Sequence, residues 1–219
     1  MRMRFLWVDA GNDPDWAKVS REGMTGLFFP LLDDTRDIVR RLNDTKARGL
    51  IGGVYGCWNW NQGYTETDGA GFAEWVDRRL KELVAAGLVL SARSPRVQLN
   101  NERHERAVIL AMLRRWRELR PKHSTSWTME GGQGGWMGPI VSGSTPPSDF
   151  VTEVISHRVR LVPQLYNGAM TETWDPLTYT RDLTRRGFPE ALVSPFYDAG
   201  ALDAFRGWEG FAFTMGRIR

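Results

Sequence analysis

Two glutamates, Glu102 and Glu130, each close an alternating set of residues in a β-rich run. In the run Arg96 to Glu102, Gln98, Asn100 and Glu102 share one face while Val97 and Leu99 share the other; in the run Ser124 to Glu130, Ser126, Thr128 and Glu130 oppose Trp127 and Met129. A third run, Arg160 to Tyr166, places Gln164 and Tyr166 together. If the apolar sets pack outward, the polar sets converge as one connected layer. Neighbouring strands lie ~4.8 Å apart, so two carboxyls in such a layer can stand within the ~5 to 9.5 Å that glycoside hydrolysis uses. Close approach raises the pKa of one of them, leaving a protonated acid beside an ionised base. Asp9, ending the first β-rich run, is a third candidate carboxylate.

The chain has 10 Trp, a large excess for its length. Trp58, Trp60, Trp136 and Trp174 fall at or just beyond strand ends, where an indole face can stack on a sugar ring with its N–H still hydrogen-bonded. Trp7, Trp75, Trp116 and Trp127 fit core packing better. Asn100, Asp33, Gln164, Tyr166 and Tyr197 complete the candidate binding set, although a carboxylate at a strand end, such as Asp33, Asp34 or Asp198, equally suits the N-cap of the next helix. The glycine-rich Gly131 to Trp136 stretch lacks a P-loop ending and a dinucleotide fingerprint, and reads as an active-site loop. His104, two residues past Glu102, serves either as a capping residue or as a neighbour of the site.

Eight β-rich runs must position these groups: Arg4 to Asp9, Gly26 to Leu32, Leu50 to Trp58, Arg96 to Glu102, Ser124 to Glu130, Arg160 to Tyr166, Ala191 to Tyr197 and Gly210 to Met215. Amphipathic segments separate them. Ile38, Val39 and Leu42 share a helical face, as do Phe72, Val76, Leu80, Leu83 and Val84, and Val108, Ile109, Met112, Leu113 and Trp116 in a helix from about His104 to Leu119. Asp13 and Asp175 each precede a proline suited to a first helical position, and Gly23, Gly49, Gly87 and Gly187 read as helix stops. Strands alternating with helices through 219 residues predict a single α/β domain over residues 1–219, a (β/α)8 barrel trimmed on its C-terminal side, with the last helix missing. In such a barrel, strand C-termini carry the chemistry. A layer of Gln, Asn, Ser, Thr and Glu there departs from the branched aliphatics of pure packing.

Composition narrows the classes further. Of 29 basic residues 25 are Arg, yet the net charge is only +3, and the densest cluster (Arg114, Arg115, Arg117, Arg120) lies on one helix and reads as a solvated face, so no nucleic-acid partner is expected. One cysteine, Cys57, and three histidines give no zinc spacing, and neither a metal nor a cofactor is expected. No apolar run reaches the length of a membrane span and the N-terminal apolar stretch is too short for a signal peptide, which predicts cytoplasmic synthesis and no membrane partner. Nucleophile elbows and Cys–His pairs are missing.

Asp9 at the end of strand one, Asn100 and Glu102 on strand four and the Pro163-Gln164-Leu165-Tyr166 run resemble the lysozyme-like family 25 (Chalaropsis-type) glycoside hydrolases and related barrels of actinobacterial phage lysins and tail proteins. That family carries Asp-x-Glu on strand four, its Glu being the general acid; here the first position is Asn100. The resemblance implies that Glu102 is the acid and Asp9 the strand-one carboxylate. Asn101-Glu102 also resembles the strand-four Asn-Glu of the large retaining-glycosidase clan, whose nucleophile is a Glu ending strand seven, where this chain has Tyr197 and Asp198. Glu130 matches neither and reads as a replacement second carboxylate. The expectation is O-glycosyl hydrolysis of a polysaccharide such as peptidoglycan, with virion proteins as possible further partners. The alternative is a barrel that binds carbohydrate, as in a phage tail, without cleaving it.

Overall fold

Every described strand lies parallel to its neighbours in one sheet, in the order β6-β5-β4-β3-β2-β1-β8-β7. The computed structural model describes residues 3–58, 68–101, 106–129, 148–163, 196–197 and 211–215. The strands are β1 (Met3–Trp7), β2 (Gly26–Pro30), β3 (Ile51–Trp58), β4 (Arg96–Asn101), β5 (Thr125–Met129), β6 (Arg160–Pro163), β7 (Phe196–Tyr197) and β8 (Phe211–Met215). Between them run α1 (Trp16–Arg21), α2 (Thr35–Ala47), α3 (Gly69–Ala85), α4 (Arg106–Leu119) and α5 (Ser148–Ser156). β6 and β7 stand at the two edges of this order, and no β6–β7 pairing occurs among the described residues.

Two apolar clusters divide the sheet by face, as the two-residue period of a strand requires. Leu6, Val8, Leu27, Phe29, Val54, Val97, Leu99, Trp127 and Leu161 join the helix residues Ile38, Phe72, Val76, Leu80, Ile109, Leu113, Trp116 and Phe150 in the larger cluster. The alternate residues Phe5, Trp7, Phe28, Tyr55 and Val162 form the smaller one, to which no helix contributes. Its members come from β1, β2, β3 and β6. In a flat sheet of this order β1 and β6 would stand ~24 Å apart, so the sheet must curl until its helix-free face closes on itself. Phe5, Phe28 and Val162 are at most 1% exposed on that face.

The curled face is tightly filled near β1–β3. A Cβ on Gly26 would lie 2.7 Å from the Phe5 ring, and one on Gly53 would lie 2.6 Å from the Phe28 ring. Each ring thus occupies a notch that only glycine on the next strand leaves open. The Phe5 and Phe28 rings meet edge to face with centroids 5.4 Å apart.

The helices follow their sequence signals with two exceptions. Asp34 caps α2, accepting from the Arg36 and Asp37 N–H groups at 2.8 and 3.4 Å, and Asp68 caps α3, accepting from Ala70 and Gly71 at 3.0 Å each. Gly23, Gly49 and Gly87 end their helices with φ of 63°, 71° and 101°. α1, however, begins at Trp16 with Asp15 as its cap, so Pro14 precedes the cap and Asp13 is free for ion pairs. Val84 turns outward and is 43% exposed, because the buried stripe of α3 ends at Leu83, two residues before its C-terminus. Asp175, Gly187, the start of the seventh β-rich run and the two ends of the chain lie outside the described residues.

The arginine-rich face of α4 is bound to its neighbours rather than simply solvated. Arg114 pairs with Glu153, Arg115 with Glu74 and Glu118, and Arg120 with Asp77, while Arg117 donates to the carbonyls of His157, Arg158, Arg120 and His123. These contacts fix α4 against α3 and the end of α5, and therefore the strands β4 to β6 that those helices flank.

Candidate functional site

Parallel strands present all their C-terminal ends on one side, and on the curled face that side carries Trp7, Tyr55, Cys57, Gln98, Asn100 and Thr128. Register places Cys57 beside Asn100 and Asn100 beside Thr128, one level above Tyr55, Gln98 and Ser126. The four polar residues of β4 and β5 are withdrawn from solvent: Gln98 and Thr128 at 0% exposed, Asn100 at 4% and Ser126 at 7%. The polar set of each strand thus faces inward, and Val97, Leu99 and Trp127 pack outward against helices, as the alternation predicts.

Across the interior stands an aromatic wall. The Trp7 and Tyr55 rings stack with centroids 4.3 Å apart and planes 3° from parallel. The Trp7 Nε1–H donates to Gln98 Oε1, a bond from β1 to β4 that only the curl permits. The Tyr55 hydroxyl donates to the Val8 carbonyl at 2.9 Å. Burial, followed by the nearby Cys57, Asp9 and Asp33, pushes the Tyr55 phenol well above its ordinary pKa, so it stays neutral and donating.

This layer contains buried hydrogen-bonding capacity that the described protein groups do not use. The Gln98 side-chain Nε2 and the Thr128 Oγ1 have no hydrogen-bond partner among the described residues. The Asn100 amide approaches Cys57 Sγ at 3.8 Å. An unpaired buried donor or acceptor costs about 1–3 kcal/mol, and a cavity for a polar ligand is the physical setting in which such groups are retained.

Two further acids stand at the same end. Asp9 is half-buried just past β1, in the turn where its carbonyl accepts from the Asn12 N–H at 3.2 Å. Asp33 is committed differently from a free binding carboxylate: one oxygen accepts from the Gly11 N–H at 3.0 Å and the other pairs with Arg41. Arg41 also donates to Asp13 at 2.9 Å, and Arg40 donates to the same Asp13 oxygen at 2.9 Å. These guanidiniums, Arg40 first, hold the Asp13 carboxyl below the usual range. The network ties the β1–α1 turn carrying Asp9 to the start of α2. Arg79 fixes the adjoining loop, donating to the carbonyls of Leu31 and Asp33 at 2.8 and 2.9 Å.

Among the predicted site residues, Asp9, Asp33 and Asn100 are therefore described with their surroundings, and Trp58 and Tyr197 by their places at the ends of β3 and β7. Glu102, Glu130, Trp60, Trp136, Gln164 and Tyr166 lie outside the described residues, as does the Gly131 to Trp136 stretch. Sequence reading assigned Trp7 to core packing and passed over Tyr55. Their signal was parity: Trp7 precedes Asp9 by two residues, and Tyr55 precedes Cys57 by two. Among the described residues no group of three or more His, Cys, Asp or Glu side chains is placed to hold a metal, and no helix is long and apolar enough to cross a membrane.

No protein-family model matches the chain, and no curated protein does. Solved structures do. Active domain 2 of a chitinase from Pyrococcus furiosus, as catalytic-site mutants, superposes with a TM-score of 0.62 at 11% identity, covering 96% of this chain and 83% of that one. The same thermostable chitinase domain complexed with chito-oligosaccharides gives 0.59 at 12% identity, over 96% and 82%. The apo 3-keto-D-glucoside 4-epimerase of E. coli gives 0.53 at 10% identity, over 100% and 93%. At these identities the likeness is one of fold.

Proposed function

We propose that the chain is a carbohydrate-acting barrel that hydrolyses O-glycosidic bonds of a cell-wall or surface polysaccharide such as peptidoglycan. The observation that carries this reading is the sealed polar layer of Gln98, Asn100, Ser126 and Thr128 at the strand C-termini, with buried polar atoms unspent opposite the Trp7–Tyr55 wall. The chito-oligosaccharide complex of a similarly folded chitinase supports the same substrate class. In this reading the eight-strand ring closes as a (β/α)8 barrel, the whole chain being its one domain.

Glu102 follows Asn100 by two residues and Glu130 follows Thr128 by two, the parity of the inward set. Glu102 is the general acid, giving its proton to the leaving glycosidic oxygen. Glu130 or Asp9 is the second carboxylate, which either activates water or stabilises the developing positive charge at the anomeric carbon. Trp58, Trp60, Trp136, Gln164, Tyr166 and Tyr197 supply stacking and hydrogen bonds along the sugar chain.

Asn100 favours a second reading. It is an amide, buried beside Cys57, where the lysozyme-like pattern has a carboxylate, and an amide cannot ionise. A barrel that recognises a surface polysaccharide without cleaving it, as a component of a phage tail or virion, retains the binding layer and dispenses with that charge.

Release of reducing sugar from purified peptidoglycan, chitin and a panel of other polysaccharides separates the two. Release that Glu102→Gln abolishes at matched thermal stability establishes the hydrolase and its acid. Binding without release by either protein establishes the recognition barrel. Neither binding nor release would overturn both.

A further inference from the structure

One amide in the polar layer has its two ends assigned by its neighbours. Gln98 lies inward on β4, in register between Tyr55 on β3 and Ser126 on β5, and is 0% exposed. The Trp7 indole N–H can only donate, so the end of the Gln98 side chain that it meets is the oxygen, and the Nε2 end points elsewhere. Trp7 is itself immobilised. Its ring stacks on Tyr55 at 4.3 Å, and the Tyr55 hydroxyl is anchored on the Val8 carbonyl at 2.9 Å. Contacts running from the backbone after β1 through two rings thus set the direction of a single amide. Turning Gln98 over would break the Trp7 bond and exchange one buried unmatched group for another.

Two N–H groups are therefore presented at a fixed place, and Nε2 makes no hydrogen bond among the described residues. Thr128 Oγ1 is in the same state, on the neighbouring strand and two residues beyond Ser126. Strand spacing and rise put the Gln98 and Thr128 backbones ~8 Å apart, close enough for both side chains to reach one substituent of a bound molecule. The donors define that substituent. Nε2 carries two hydrogens and no lone pair to offer. A carbonyl or carboxylate oxygen brings lone pairs and no hydrogen, and strands nothing when it accepts. A hydroxyl brings a hydrogen for which the Nε2 end has no acceptor, and a protonated amine brings only donors. We propose that Gln98 is a specificity-determining residue: its Nε2 reads an acceptor-only oxygen, carbonyl or carboxylate, on the sugar bound at the strand C-termini, with the Thr128 hydroxyl beside it. This inference rests on the carbohydrate reading and adds to it the group by which the sugar is selected. A buried donor of this kind rejects an analogue without the matching oxygen, because the donor is then left unmatched.

Titration calorimetry with oligosaccharides of matched length tests the assignment. N-acetylated chito-oligosaccharide and oligogalacturonide carry a carbonyl and a carboxylate; cello-oligosaccharide carries hydroxyls, and de-N-acetylated chito-oligosaccharide carries amines. The wild type is expected to bind one of the first pair at least ~tenfold tighter than either of the second, and which one it is separates carbonyl from carboxylate. Gln98→Glu keeps the oxygen that accepts from Trp7 and replaces the donating end by one of the same shape without its two hydrogens. It is expected to bring that ratio within ~threefold. Gln98→Met removes both ends, is expected to do the same, and serves if the glutamate variant does not fold. A merely structural role would lower all four affinities together and keep their ratio. A ratio maintained in the folded variants, or a wild type that binds all four equally, overturns the role of Gln98 and leaves the carbohydrate reading standing. Binding of none of the four overturns this proposal too, and the polysaccharide panel then decides the carbohydrate reading separately.

Discussion

Replacing Thr128 by valine exchanges a hydroxyl for a methyl at a position that is 0% exposed, with the side-chain shape preserved. The Thr128 Oγ1 has no hydrogen-bond partner among the described residues, and a buried hydroxyl left without one is a cost to the fold. Mutational data place that cost at about 1–3 kcal/mol. Valine recovers part of it and leaves no cavity, so the fold should gain roughly 1–2 kcal/mol. For a chain of this size each kcal/mol moves the melting temperature by about 2–4 °C, giving a rise of about 2–8 °C. Thr128→Ser provides the opposite control: it keeps the hydroxyl, removes a buried methyl and should lose about 1 kcal/mol. The assay is thermal unfolding followed by circular dichroism, with urea titration to convert melting shifts into free energies. A hydroxyl retained for a ligand has a second signature, since Thr128→Val should then also weaken binding of a bound oligosaccharide by about tenfold. If Thr128→Val melts below the wild type, the hydroxyl is part of a satisfied structural network, and the argument from unspent hydrogen-bonding capacity fails.

Arg41 is 4% exposed and holds Asp33, whose side chain is 8% exposed, so Arg41→Met should destabilise by about 3 kcal/mol through the stranded carboxylate. Asp33→Asn in that background should recover part of the loss, and a single-variant change below ~0.5 kcal/mol in urea unfolding would refute the pairing. His123 is held neutral by burial, its pKa pushed down to about 4 from 6.5. The unfolded chain takes up this proton first, so stability is complete above about pH 6.5 and falls as pH drops towards 4, by roughly 3 kcal/mol. His123→Asn should flatten that portion of the stability profile measured by urea titration; an unchanged slope would assign it to other groups.

How far the fold could be read depended on which physical signal each segment carried. Each of the eight β-rich runs contains a strand; apolar and polar residues alternate clearly in β4 and β5, and there Val97, Leu99 and Trp127 pack outward as that alternation requires. The Asp34 cap and the glycine stops were local, and local signals survive folding; the Asp68 cap of α3 was an equally local signal that the sequence reading passed over. Pro14 misled because a proline fits the residue before a cap as well as the first turn. Asp33 showed only a carboxylate at a strand end; that Arg41, eight residues on, and the Gly11 N–H claim it is a tertiary fact. The roles of Trp7 and Tyr55 were hidden for the same reason, since the Trp7–Gln98 bond spans 91 residues and exists only once the sheet has curled.

The ring of Phe28 seated against Gly53 imposes an order of events on sequence drift. A side chain at Gly53 collides with Phe28 at 2.6 Å, so the small residue cannot grow while the large one remains. Shrinking Phe28 first leaves a void, which a larger residue at position 53 then refills. Only one of the two routes between the present pair and its mirror image passes through an intermediate without a steric clash, whereas at Gly26 the Ile51 carbonyl, 2.5 Å from where a Cβ would sit, bars growth whatever stands at position 5. This part of the floor of the sheet is therefore a ratchet in sequence space: Phe28 and Gly53 exchange volume ring before glycine, or not at all.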